Sequence, residues 1–295
     1  MIDRSARLSA PHSTLHFGAV EKSLAAEIQL AGKEALNALA DHDWEEMNRL
    51  FSEYGAVSLG SWRDADGETL LIRAALEGAD HWIEQLLPFS DPRLTTQDGL
   101  SALWAAARNS GAQSIELLLP DSDAESADWI GVSPLMAAAD RGDEGVDAMR
   151  ALLGVQTKHD SLRAALDERR LFFRAIDAAL NGAGFGPLAL LIERAKGQSK
   201  IQAQMASEAV SVVVERVARE NHQNDPIEAW GLRALIMIAP HASSESLRRS
   251  LENDQAPDSL LGFIHAALVE RELHGVLGSP DLKTPCTRKS APGRL

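Results

Sequence analysis

The chain has 295 residues, room for one large domain, two ordinary ones or an elongated array, and its apolar content of 45% with only 5% aromatics favours helices packed closely on small side chains. A formal net charge of −14, from 43 acids against 29 bases, argues against a nucleic-acid partner, because phosphate binding needs a positive field. The single cysteine, Cys286, rules out an internal disulfide, no apolar run approaches the roughly 18 residues of a membrane span, and residues 1–13 lack a signal-peptide core, so a cytoplasmic location is expected.

Residues 1–18 combine serines and histidines with little pattern and are expected to form a disordered arm. His12 and His16 have the spacing of a helical metal pair, but they lack a nearby carboxylate or cysteine, so no metal site is expected there. From residue 19 a weak periodic unit follows, with Ala38, Met47, Leu50 and Phe51 and then Gly55-Ala56-Val57.

Three clearer copies come next. The first reads Asp66-Gly67-Glu68-Thr69-Leu70-Leu71-Ile72-Arg73-Ala74-Ala75, followed by Gly78, Ile83, Leu86 and Leu87. The second reads Asp98-Gly99-Leu100-Ser101-Ala102-Leu103-Trp104-Ala105-Ala106-Ala107, followed by Ile115, Leu118 and Leu119. The third reads Gly131-Val132-Ser133-Pro134-Leu135-Met136-Ala137-Ala138-Ala139, followed by Gly142 and Leu152-Leu153. Gly67, Gly99 and Gly131 are 32 residues apart, twice over.

This pattern resembles the ankyrin repeat. The resemblance implies an all-α fold, an ankyrin-type α-solenoid of stacked helix pairs with short hairpin-like loops. The departures are a period of 32 instead of 33, Ile72, Trp104 and Met136 where the family has histidine, and Ser110 where it has the glycine between helices. The residue types have physical roles in such a unit. Thr69 and Ser101 can cap the first helix by accepting a backbone N–H. The alanine pairs allow close helix approach, the glycine turns the chain, and the leucine pair fills the seam, each side chain worth about 1.5–3 kcal/mol when buried. A further copy keeps Ala178-Ala179, Gly182 and Leu190-Leu191, so the array is expected to span 19–195.

Residues 154–170 read as a helix-bearing connection with Leu162, Ala165 and Leu166 on one face. Residues 196–277 read as a helical extension or degenerate repeats. Ile201, Met205, Val212, Val213 and Val217 recur at helical spacing, Asp225-Pro226 opens a helix and Pro240 closes it. Leu247 and Leu251 follow, then Leu260, Leu261, Phe263, Ile264, Ala267 and Leu268 begin the last helix. Residues 278–295, with Pro280, Pro285 and Pro292 among four bases, are expected to be a disordered basic tail.

No catalytic constellation emerges. The run from Gly182 to Gly186 lacks the Lys-Ser/Thr of a phosphate loop and suits a helix-to-helix turn. His265 and His274 flank Glu270 and Glu272 on one helix, as a solvated face does. Cys286 has no histidine beside it. An enzyme built after residue 199 would need clustered polar residues on facing helices, and the stripes there are apolar. Neither a cofactor nor a metal is expected.

The resemblance further implies that hairpin tips and first helices line a concave binding face. Mapped onto this chain, that face holds Trp62, Asp64, Asp66, Glu68, Arg73, Glu77, Gln97, Leu100, Arg108, Asn109, Trp129, Ile130, Val132, Asp140 and Arg141. Trp129 beside Ile130 is the strongest candidate anchor, because exposed Trp dominates interface energies. Trp62 suits either an anchor or packing, Trp104 suits packing, and Trp44, Trp82 and Trp230 are expected in the core. The expected function is non-enzymatic: a monomer binding a basic protein partner, in concrete form an immunity-type inhibitor covering a basic toxin. The alternative is an effector secreted into a host cell, with export signals in residues 1–18 or 278–295.

Overall fold

The structure, a computed structural model, describes residues 13–155, 162–194, 199–220 and 226–277. The chain divides into two compact units, Met1–Ala164 and Ala165–Leu295. The first begins with α1 (Ser13–Ala40), so residues 13–18, expected in a disordered arm, form the first turns of a helix. Its stripe Ala31, Ala35, Ala38 and Leu39 is buried at helical spacing. Asp43 caps α2 (Trp44–Tyr54), accepting a hydrogen bond from the Glu46 N–H, and Met47 and Leu50 face inward. A short α3 (Ala56–Gly60) leads to the first repeat.

Each repeat opens at a glycine corner. Gly67, Gly99 and Gly131 have φ of 84°, 79° and 78°, the left-handed region that only glycine enters without strain. Each corner N–H donates three residues back, to the carbonyls of Asp64, Thr96 and Asp128, so the three glycines occupy equivalent positions in successive layers. The first helices follow: α4 (Leu70–Leu76), with α5 (Asp80–Leu86) after it, then α6 (Ala102–Asn109) with α7 (Ala112–Leu118), then α8 (Pro134–Ala139) with α9 (Val146–Val155). Thr69, Ser101 and Ser133 cap the first helices by accepting from the N–H three residues on. In α8 the proline after the cap loses nothing, since its N–H would be unpaired there.

The alanines work as anticipated. Ala74-Ala75, Ala105 to Ala107 and Ala137 to Ala139 are fully buried where α4 meets α6 and α6 meets α8. Leu86, Leu118 and Leu152 are buried in the second helices. Helix α4 ends in paired bonds from Gly78 N–H to Ala75 and from Ala79 N–H to Ala74, with Gly78 left-handed at φ 65°. The turn between α1 and α2 has the same bonds, Leu39 accepting from His42 and Ala38 from Asp43, but with His42 in the left-handed position at φ 55°. The weak upstream copy thus shares its turn geometry with the first clear repeat, and α1 packs against α4. The second repeat departs from this, since Ser110 and Gly111 both have negative φ. There the buried Ser110 hydroxyl donates to the Ala75 carbonyl of the preceding layer.

The second unit contains α10 (Leu162–Leu180) apart from its first residues, α11 (Gly186–Arg194), α12 (Ser199–Glu220), α13 (Ile227–Ile238), α14 (Ser244–Ser250) and α15 (Asp258–Leu277). One apolar core joins Phe172, Ile176, Leu180 and Leu188 to Val210, Val213, Val217, Leu235, Ile238, Leu247, Leu260 and Ile264. The division of the chain falls at 164/165, within the first turn of α10 and not at 195/196, and the described part of α10, with α11, shares its core with the later helices. The Gly182 segment is a helix-to-helix turn, with Gly182 at φ 79° and the same paired bonds as at Gly78. The side chains of residues 162–168, and residues 156–161 altogether, lie outside the described residues.

Candidate interaction surface

The tips are built from main-chain hydrogen bonds that run between layers. Gln97 N–H donates to the Asp66 carbonyl at 2.8 Å, and Trp129 N–H donates to the Asp98 carbonyl at 2.9 Å. Within each tip a polar side chain three residues before the glycine steadies the turn. Asp64, Thr96 and Asp128 accept from the N–H groups of Glu68, Leu100 and Val132 at 2.7, 3.2 and 2.7 Å. Arg63, absent from the sequence-derived face, ties two layers, its guanidinium donating to the carbonyls of Gly67 and Thr95.

Against this frame the fifteen expected face residues separate. Trp62 is only 3% exposed, and its indole lies on Gly32 of α1, where a Cβ would come within 2.2 Å of the ring. It is core, and it depends on a glycine in a helix whose register the repeat pattern does not reveal. Val132 is 4% exposed and also belongs to the core. Asp64 is committed to its own turn. Leu100 is half-buried. Asp140 and Arg141 are half-buried as well, and Arg141 donates to the Ser110 carbonyl.

On the first inner helix, Arg73 is clamped between Glu68 at 2.8 Å and Glu77 at 3.4 Å, and Glu77 lies 3.9 Å from His42. Burial raises the Glu68 carboxyl above the usual carboxylate range. Arg73 opposes that shift, and Asp64 and Asp66 add to it. Gln97 is exposed and donates to the Ala65 carbonyl at 3.1 Å. Arg108 and Asn109 are exposed at the end of α6.

Asp66 and Asp98 are exposed, and neither has an ion pair among the described residues. Asp98 was legible from its register with Asp66, one residue before the glycine. Trp129 and Ile130 stand out, at 76% and 53% exposed, on the third tip.

The other tryptophans divide. Trp82 is buried against Phe51, with ring centroids 4.9 Å apart. Trp230 is partly buried, over Gly182. Trp104 packs as expected and donates its indole N–H to the Val132 carbonyl of the next layer at 3.1 Å. Trp44, expected in the core, is 40% exposed at the start of α2, edge-on to His42.

Among the described residues no group of His, Cys, Asp and Glu could hold a metal ion, and no helix is long and apolar enough to cross a membrane. His265 is exposed, whereas the side chains of His16 and His274, and the whole of residues 1–12 and 278–295 with Cys286, lie outside the described residues. The expected export signals fall largely in those segments.

No curated protein matches the chain. Residues 71–161 match the family model described as ankyrin repeats, in three copies. With its glycine corners in register, its hydroxyl-capped first helices and its alanine-lined seams, the matched segment is an array of ankyrin repeats, a family generally non-enzymatic and suggestive of a protein–protein interaction module.

Proposed function

We propose that the array docks a protein partner against its tips and first helices, with Trp129 and Ile130 as the apolar anchor, and that the acidic balance of the chain favours a basic partner. The supporting observation is the exposure of Trp129, 76%, on a tip whose backbone is held by the bond to Asp98. The main chain that presents this large apolar side chain is already fixed in place, which lowers the ordering cost of binding. The immunity-type inhibitor is the concrete version of this reading: an acidic protein occluding a basic toxin in the cytoplasm.

The test is affinity capture from the native host with the wild-type chain and with Trp129→Ala, followed by titration of the captured protein. Because the ring is exposed, the variant should melt at the wild-type temperature, yet it should lose about 2 kcal/mol of binding, roughly thirtyfold in affinity. A partner that binds both proteins equally would refute the anchor.

A further inference from the structure

The two residues before each corner glycine are Ala65-Asp66, Gln97-Asp98 and Trp129-Ile130. The main chain treats all three tips alike, through the bonds from Gln97 to Asp66 and from Trp129 to Asp98. Their side chains do not. The first two tips present exposed carboxylates without an ion pair among the described residues, and the third presents an exposed indole and an exposed isoleucine.

The nearby cations are occupied. Arg63 holds the carbonyls of Gly67 and Thr95, Arg73 sits between Glu68 and Glu77, and Arg141 donates to Ser110. Arg63 is bonded only to neutral carbonyls and keeps its charge beside these tips, but neither Asp66 nor Asp98 forms an ion pair with it among the described residues, on a chain that carries −14 overall. Polarity along the row changes once, between the second and third tips.

We infer that the row receives a protein segment carrying basic side chains over Asp66 and Asp98 and an apolar seat over Trp129 and Ile130, held in one orientation by that change of polarity. This rests on the docking reading above and adds to it the chemistry and direction of the partner. Charge at the first two tips governs encounter rate and salt dependence, whereas the apolar tip governs residence.

The probes are three synthetic peptides of equal length: one with a lysine-rich half and a leucine-rich half, one of lysine and glycine, and one with glutamate in place of the lysines. Each is titrated by fluorescence anisotropy into the full chain, at low and high salt. The lysine–leucine peptide should bind at least about tenfold tighter than either control, and more weakly at high salt.

The paired change Asp66→Asn with Asp98→Asn keeps the side-chain shape and leaves the main-chain ladder in place. It should lower that affinity about tenfold and flatten its salt dependence. Trp129→Ala should reduce the lysine–leucine peptide to the level of the lysine–glycine one. Circular dichroism checks that both variants are folded.

Absence of binding by the lysine–leucine peptide, or equal binding by the glutamate peptide, overturns the inference. An effect of Trp129→Ala with none from the asparagine pair also overturns it, while leaving the docking reading intact. No effect of either variant removes both.

Discussion

In the first unit, successive layers are joined at their tips by main-chain atoms: Gln97 to Asp66, Trp129 to Asp98. In the second, the ties between helical hairpins run through side chains. Arg216 reaches Asp177 and Asn181, Ser246 donates to the Ser207 carbonyl at 2.5 Å, and Arg271 donates to the carbonyls of Ala239, Pro240 and Ala242. Main-chain ties need only the correct backbone turn, so they repeat with a fixed spacing and a recognisable glycine. Side-chain ties need a particular residue at a particular place, so they leave no periodic trace. The family match ends at residue 161, although the turn at Gly182 has the same bonds as the one at Gly78.

The largest effect expected is from opening a cavity in the stack. Leu103→Ala, in the fully buried middle layer, should cost about 2–5 kcal/mol in urea unfolding. Because a solenoid layer is supported only by its neighbours, the α4 and α8 amides should also exchange faster with deuterium. Leu235→Ala in the second unit should cost as much. If its exchange increase stayed within α13, the single shared core described for that unit would be wrong.

Next come two of the left-handed glycines, Gly99 and Gly182. An alanine Cβ at either position is strained, by about 1–2 kcal/mol. At Gly99 the Cβ also meets main chain, Asp128 Cα at 3.1 Å and Trp129 N at 3.2 Å, whereas at Gly182 it meets only the Trp230 ring at 2.6 Å. A ring can turn aside and a hydrogen-bonded tip cannot. Gly99→Ala should therefore lower the unfolding midpoint more than Gly182→Ala, and the reverse order would show that the tip ladder yields easily.

Removing a helix cap should cost less, about 1 kcal/mol, for Ser101→Ala in the first unit and Ser243→Ala in the second. Equal losses in thermal melts would mean that caps, unlike interlayer ties, are shared by the two regions.

The smallest effect is from Glu68. Burial holds its folded-state pKa above the ordinary 4.5, so at higher pH both folded and unfolded forms are ionised and the fold carries the full penalty. That penalty fades as pH falls through the folded value toward 4.5. Relative to Glu68→Gln, the wild type should gain stability as pH drops across that window, read from urea midpoints at successive pH values. A difference independent of pH would mean that Arg73 offsets the burial.

The sequence made the repeat layers legible because their determinants are local: a glycine that must be left-handed, a hydroxyl three residues before a helical N–H, alanines where helices touch. It also made Trp129 legible as an exposed tip residue, since neighbouring register positions hold Ala65 and Gln97. What it hid depended on distant partners. Trp62 reads as a tip residue until Gly32 supplies a seat for the indole. Trp44 reads as core because its composition says so, yet it stands at a helix start beside His42. The boundary at the start of α10 was hidden because the alanine pair of α10 and the glycine after it repeat the local signature while its core contacts lie further along the chain.

The tip ladder uses carbonyl and amide groups, which every residue but proline supplies. The side chains at 65–66, 97–98 and 129–130 are thus largely released from holding the layers together, apart from the supplementary bonds that Gln97 donates to the Ala65 carbonyl and the Asp66 carboxylate. Those six positions form a rewritable strip: substitutions there can alter what the protein grips while the scaffold beneath keeps its shape. A lineage or an engineer could retarget the chain without first repairing it.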